Sequence, residues 1–377
     1  MLERQMPLTN LLEIMFASKG KPNKPETALL FIDEIQNSPQ TIARLRYFYE
    51  EHPELCVIAA GSLLENVMDI NASFPVGRVD YMAMHPCSFR EFLTALGKEH
   101  LHYFIDHPDY SDAVHDEMMA LFSQYVVIGG MPEIVKLFVN QKNYSGTLAV
   151  QKQIILDYEE DITKYAEGLD KTKILNVFRK IPVFLGQDNK KFRISKVAHG
   201  ARNREYSGVT DWLIDAGIVN VSYCLNDLAL PLKGNYDPDN YRMYFMDTGL
   251  LVASLDEESS KDLRDNKNFN TYKGAIYENI VADMLKKSGY DLYFYKNEEA
   301  TLEVEFFVRD ANNLIPIDVK ATDGKLKSVK SLINDEKRND IKFGIKLAEK
   351  NIGFENNIYT FPYFLTFLLK RFLTEKK

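Results

Sequence analysis

The chain has 377 residues, of which 45% are hydrophobic, 12% aromatic and 27% charged. That apolar content excludes a mainly disordered polymer and is enough for two or three domains. The net charge of −8 excludes a protein whose whole surface grips nucleic acid, although residues 325–377, with 12 Lys/Arg against 6 Asp/Glu, make a basic end on an otherwise acidic chain.

Apolar residues at helical spacing (Leu2, Met6, Leu12, Met15, Phe16) predict a helix that KGKPNKPE (19–26) breaks. ALLFI (28–32) and VIAAGS (57–62) read as fully buried strands of a parallel sheet. The helix between them, over 38–51, completes a βαβ unit. From Cys87 to Arg179 the pattern is helical: SFREFL (88–93) has the capping-box spacing of Ser88 and Glu91, IGGMP (128–132) is a double-glycine turn, and ILDYEEDITKY (155–165) is amphipathic. Two short helices (RISKVAHGA and SGVTDWLIDAGIV) precede strands VNVSYCL (219–225) and YRMYFM (241–246) around a turn at Asn235–Asp239, the order of a winged helix. A helix over 272–289, three strands (290–296, 301–308, 314–321) and a basic helix near Lys325–Asn334 form a terminal α/β module.

ALLFIDEIQ ends an apolar strand in Asp-Glu and resembles the Walker B element of P-loop NTPases. There Asp33 would hold Mg²⁺ and Glu34 would act as general base. An acidic pair at a helix N-terminus is the structural alternative. Ser62, ending the next strand, is either a sensor of the γ-phosphate or a helix N-cap, and Arg78 is either an arginine finger or half of a surface ion pair. The ordered set LLFIDEIQNSP, VIAAGSLLE, FPVGRVDYMAMHPCSFREFL, IGGMPEIV, MDTGLL, YKGAIYENIV and IPIDVKA resembles bacterial and archaeal AAA-type ATPases with a C-terminal domain of unknown function, over nearly the whole chain. The resemblance implies ATP and Mg²⁺ as cofactors. It departs at one point: no GxxxxGK[ST] run is present, so the chain reads as an N-terminally shortened member whose ATP site lacks its phosphate loop.

In the terminal module the order Glu278 (helix), Glu305 (strand), then Asp318-x-Lys320 resembles the PD-(D/E)xK nuclease fold. Glu278, Glu305 and Asp318 would ligate Mg²⁺ and Lys320 would face the scissile phosphate. Cross-strand Glu-Lys pairs on an ordinary sheet surface and a solvated Glu278 are the alternatives. Residues 187–204, with six Lys/Arg against Asp188, and the basic C-terminal region are candidate nucleic-acid contacts; a homo-oligomer is a further candidate. The three cysteines (Cys56, Cys87, Cys224) are neither a disulfide framework nor a zinc cluster, and the seven histidines show no ligand spacing. No 18-residue apolar run and no signal-peptide order occur, so a cytoplasmic setting without a membrane span is expected.

The expected architecture is α/β and multidomain: a partial AAA-type parallel sheet (1–94), a helical connector (95–185), a winged helix (186–258) and a restriction-endonuclease-like domain (259–377). The expected function is that of an AAA-type ATPase-family protein coupled to a nucleic-acid-binding or nuclease-like end. A Mg²⁺-dependent DNA endonuclease and a non-catalytic DNA- or protein-binding module are the rivals.

Overall fold

The computed structural model describes residues 6–61, 77–166, 169–187, 190–206, 208–265, 267, 270–297, 302–321, 324 and 326–376. The chain divides into two units, one running to Met84 and taking in Asp211–Gly217, the other holding the remainder.

In the smaller unit Ser38 caps a helix that Pro39 opens: its hydroxyl accepts from the Thr41 N–H at 3.3 Å, and Pro at the first position has no N–H to satisfy. The elements are α1 (Leu8–Ser18), β1 (Leu29–Ile32), α2 (Pro39–Glu51) and β2 (Cys56–Ala59), with β1 and β2 parallel. Leu8, Leu11, Leu12, Phe48 and Leu55 pack with Leu30 and Val57 on one face of this two-stranded sheet. The expectation of fully buried strands is corrected here. Leu29 (57% exposed), Phe31 (56%) and Ile58 (47%) point away from both helices, because α1 and α2 cover one face only. Ser62 lies outside the described residues.

The larger unit begins with helices α3 (Phe89–Ala95), α4 (His102–Asp106), α5 (Asp112–Ile128), α6 (Pro132–Gln141), α7 (Thr147–Tyr165) and α8 (Lys171–Leu185). The capping box on α3 forms as its spacing predicts, with Ser88 and Glu91 each accepting from the other's backbone N–H. Of the two helices expected next, RISKVAHGA is instead a 3₁₀ turn at Ile194–Lys196, and SGVTDWLIDAGIV supplies α9 (Val209–Asp215). Strands β3 (Val219–Leu225) and β4 (Tyr236–Phe245) are antiparallel. The turn expected at Asn235–Asp239 lies earlier, and Pro238 is inside β4. The register there jumps from Tyr223↔Tyr241 to Cys224↔Asp237, a bulge that absorbs a residue with no N–H to give the ladder.

Helices α10 (Thr248–Ala253), α11 (Glu257–Arg264) and α12 (Asn270–Lys287) follow. Then come β5 (Leu292–Asn297), β6 (Leu302–Val304), β7 (Phe306–Arg309), β8 (Leu314–Lys320), α13 (Lys327–Ile333), β9 (Gly344–Ala348), β10 (Gly353–Glu355), β11 (Ile358–Pro362) and α14 (Leu369–Glu375). The strand expected over 301–308 is broken at Glu305, so β6 and β7 belong to different sheets. One sheet runs β4-β3-β5-β6 and the other β10-β11-β9-β8-β7. The pairing of β3 with β5 is parallel and carries the first sheet across the boundary expected at residue 258. Within the second sheet β7 and β8 are antiparallel, while β8, β9 and β11 are parallel. Leu225, Tyr293, Val304, Phe307, Val329 and Ile358 meet in a core that both sheets share.

Two of the sequence runs singled out above, IGGMP and MDTGLL, are fastened to each other. Gly130 N–H donates to the buried Asp247 carboxylate at 2.6 Å, and Asp247 also accepts from Leu250 N–H at 3.2 Å as the N-cap of α10. Gly249 is obligatory at this approach, since a Cβ there would lie 2.3 Å from the Ile128 carbonyl oxygen. Asn279 of α12 accepts from Phe245 N–H at 2.8 Å and donates to Phe245 O at 3.1 Å, anchoring the end of β4.

Gly249→Ala is therefore expected to lower the unfolding free energy by about 2–3 kcal/mol, the cost of forcing backbone apart in a packed core. Gly274→Ala, in α12 where a Cβ meets nothing within 4 Å, is expected to raise it by about 0.5–1 kcal/mol. Urea unfolding of the two variants checks both signs.

Candidate functional site

Arg242 is centred on β4 and only 1% exposed. In register it faces Ser222 on β3, which faces Leu292 on β5, so the three share one sheet face. The small Ser222 leaves room for the guanidinium to lie over Phe294, 4.1 Å from the ring centroid, and to pair with Glu303 on β6. Lys296 of β5 meets the other Glu303 oxygen at 2.9 Å. Burial opposes ionisation of Glu303, but Arg242 and Lys296 outweigh it and hold its pKa below the usual carboxylate value. Glu278 of α12 is 3% exposed, which removes the solvated-helix alternative; Lys190 pairs with it and an Arg242 nitrogen lies 4.0 Å away.

Glu305 occupies the break between β6 and β7. Its neighbour Phe306 is in register with Ile317, which sets Glu305 opposite Asp318. The Asp318 carboxyl lies close enough to oppose ionisation of Glu305. Lys320, two residues along β8 on the same face as Asp318, pairs with Asp318 and stands 3.5 Å from Glu305. Burial first, then the Asp318 charge, push the Glu305 pKa up to about 8, against the pull of Lys320 and Lys190. Burial alone would depress Lys320, but the facing carboxylates hold its pKa above the ordinary lysine value. Four acids (Glu278, Glu303, Glu305, Asp318) thus face four bases (Lys190, Arg242, Lys296, Lys320) in one partly buried network. Arg242 and Lys296 are the members that sequence reasoning missed, and Glu303 could be placed on one strand face with Glu305 but not assigned to the site; the signal for Arg242 was a lone arginine in the apolar strand YRMYFM.

Among the described residues no three His, Cys, Asp or Glu side chains are arranged to hold one metal ion. Glu278 is engaged by Lys190 and Arg242 and does not complete a triad with Glu305 and Asp318. The remaining pair fits Mg²⁺ in its usual habit of one or two carboxylates, with water and phosphate oxygens filling the octahedron. The buried Glu305 Oε2, which has no hydrogen-bond partner among the described residues, is an acceptor left over for such an ion.

In the smaller unit Asp33 and Glu34 are exposed just past β1. Asp33 accepts from the Glu34 N–H at 3.1 Å, and the Glu34 carboxylate accepts from Gln36. Glu34 is left-handed, with φ 50°. Arg78 pairs with Glu50 at 2.7 Å. With Asp33 and Glu34 turned to their own neighbours, and no phosphate loop in the sequence, these residues do not by themselves fit Mg²⁺-ATP.

Residues 2–93 match the family described as an AAA domain, residues 119–261 a domain of unknown function (DUF8612), and residues 273–364 a second domain of unknown function (DUF4143). No curated protein and no solved structure matches the chain. The chain thus joins an AAA domain, which suggests an ATPase-type function, to a C-terminal domain of unknown function that contains Glu278, Glu305, Asp318 and Lys320. Among the described residues no helix is long and apolar enough to cross a membrane.

Removing the guanidinium leaves Glu303 to Lys296 alone and Glu278 to Lys190 alone, so Arg242→Met is expected to cost about 3 kcal/mol in chemical denaturation, and adding Glu303→Gln is expected to return part of that loss. Calorimetric titration of the 377-residue chain with Mg²⁺-ATP is expected to give no saturable heat, and tight binding would contradict the fit described for Asp33 and Glu34.

Proposed function

We propose that the chain is an AAA-type ATPase-family protein whose larger unit carries a Mg²⁺-dependent site for hydrolysing phosphodiesters of nucleic acid. The observation that carries this reading is the meeting of Glu305, Asp318 and Lys320 where β6 breaks into β7 and β8 ends. The order α12, β5, β6–β7, β8, α13, β9 around that meeting supports kinship with the PD-(D/E)xK nuclease fold. The exposed Arg193, Lys196, Arg202 and Arg204, in the region read as a winged helix, support contact with a polyanion. In the smaller unit Asp33 as Mg²⁺ ligand, Glu34 as base, Ser62 as sensor and Arg78 as finger are the residues that an AAA-type nucleotide site would use.

Glu305 and Asp318 would hold the ion. When bound, Mg²⁺ neutralises phosphate charge and makes water a stronger nucleophile. Lys320, beside these two carboxylates, would face a non-bridging oxygen of the scissile phosphate. Water adds to phosphorus, the bond to one bridging oxygen breaks, and that oxygen leaves with a proton. The lysines and arginine already seated against these carboxylates favour a second reading, a phosphate-binding module without cleavage, in which they permanently occupy the cation positions.

Nicking of supercoiled DNA separates the two. Mg²⁺-dependent nicking lost in Lys320→Ala and in Asp318→Asn supports hydrolysis, whereas DNA binding with no nicking in any chain leaves the second reading. Since Glu305 must lose its proton to ligate the ion, and its pKa is near 8, nicking is expected to rise from pH 7 to pH 9. A rate that falls over that range would contradict the assignment of Glu305.

A further inference from the structure

A cavity of about 270 Å³ opens in the larger unit between α13, β9 and β11, and three of its walls are lysines: Lys330, Lys346 and Lys350. Glu355 lines it too, but its carboxylate accepts from Asn356 at 3.1 Å, so the lysines outnumber the acid three to one. Lys346 is 9% exposed, in the middle of β9, where an apolar side chain would be expected. It is in register with Asp318 on β8 and with Thr360 on β11. Asp318, Lys346 and Thr360 therefore form one row across three parallel strands, on one face of the sheet. The cavity lies one to two strands from Asp318, roughly 5–10 Å at the usual strand spacing.

We infer that this cavity is a phosphate subsite for a nucleic-acid strand whose neighbouring phosphate sits at Lys320. The inference rests on the function proposed above and deepens it: the Lys320 site alone has no direction, whereas a second phosphate held along the row fixes how the strand crosses the sheet. A lysine ammonium suits this task, being a point charge that holds phosphate without reading sequence.

The test uses fluorescence anisotropy of a labelled DNA duplex on the full chain, titrated over a series of salt concentrations. Lys330→Ala/Lys350→Ala is compared with Lys337→Ala/Lys342→Ala, which removes the same charge from exposed lysines outside the cavity. The cavity variant is expected to bind about tenfold or more weakly at moderate salt and to lose about two units from the slope of log affinity against log salt. The control is expected to lose less than half of that. Equal losses in the two variants, or none in the cavity variant, overturn the subsite and leave the Lys320 reading standing. Failure of the unaltered chain to bind duplex at all overturns both. If inorganic phosphate competes at millimolar concentration with the unaltered chain and not with the cavity variant, the site of the contact is the cavity.

Discussion

A guanidinium buried inside a sheet decides how the larger unit is organised. Arg242 cannot shed its charge and is almost wholly removed from water, so the fold has to bring carboxylates to it. It does so from two directions, Glu303 across the sheet and Glu278 from α12 above. Those two anchors tie β4 to β6 and to α12, which is also fastened to the end of β4 by Asn279. Once β6 and α12 are fixed, the break at Glu305 and the strand β8 that follows have little freedom, and Asp318 and Lys320 arrive beside Glu305 as a consequence.

The same network divides labour among its acids. Glu303 is held ionised by the cations on either side of it. Glu305, two residues further on, is held largely protonated by burial and by Asp318. One carboxylate closes a structural ion pair and the other keeps a removable proton beside a lysine. That contrast, between neighbours of the same residue type, is why the proposed metal ligand is Glu305 and not Glu303.

Much of this was legible in the sequence where local chemistry governs. The capping box at Ser88 and Glu91, the Ser38–Pro39 helix start and the strand LIPIDVK each rest on contacts within a few residues, and each forms. Readings that needed a partner from elsewhere went astray. ALLFI reads as a buried strand, yet the described elements cover only one side of it. RISKVAHGA has helical apolar spacing but closes only 3₁₀ turns. TLEVEFFV has continuous strand character, and nothing local announces that Glu305 will pass from one sheet to another. The candidate residues Glu278, Glu305, Asp318 and Lys320 could be named from their order along the chain, but not the arginine that engages Glu278, because a single Arg in an apolar strand has no local pattern to betray its partners. The exposed Asp33 and Glu34 show the converse: a motif that reads clearly in sequence has geometry suited to chemistry only when its surroundings supply the rest of the site.

The central claim is that Glu305 and Asp318 can exchange the ammonium of Lys320 for a divalent cation. A crystal of the full chain grown at pH 9 and soaked in Mn²⁺ addresses it directly. An anomalous-difference peak bridged by both carboxylates, with Lys320 displaced from Asp318, is the predicted outcome. No peak there, with Lys320 still seated against Asp318, would contradict the account.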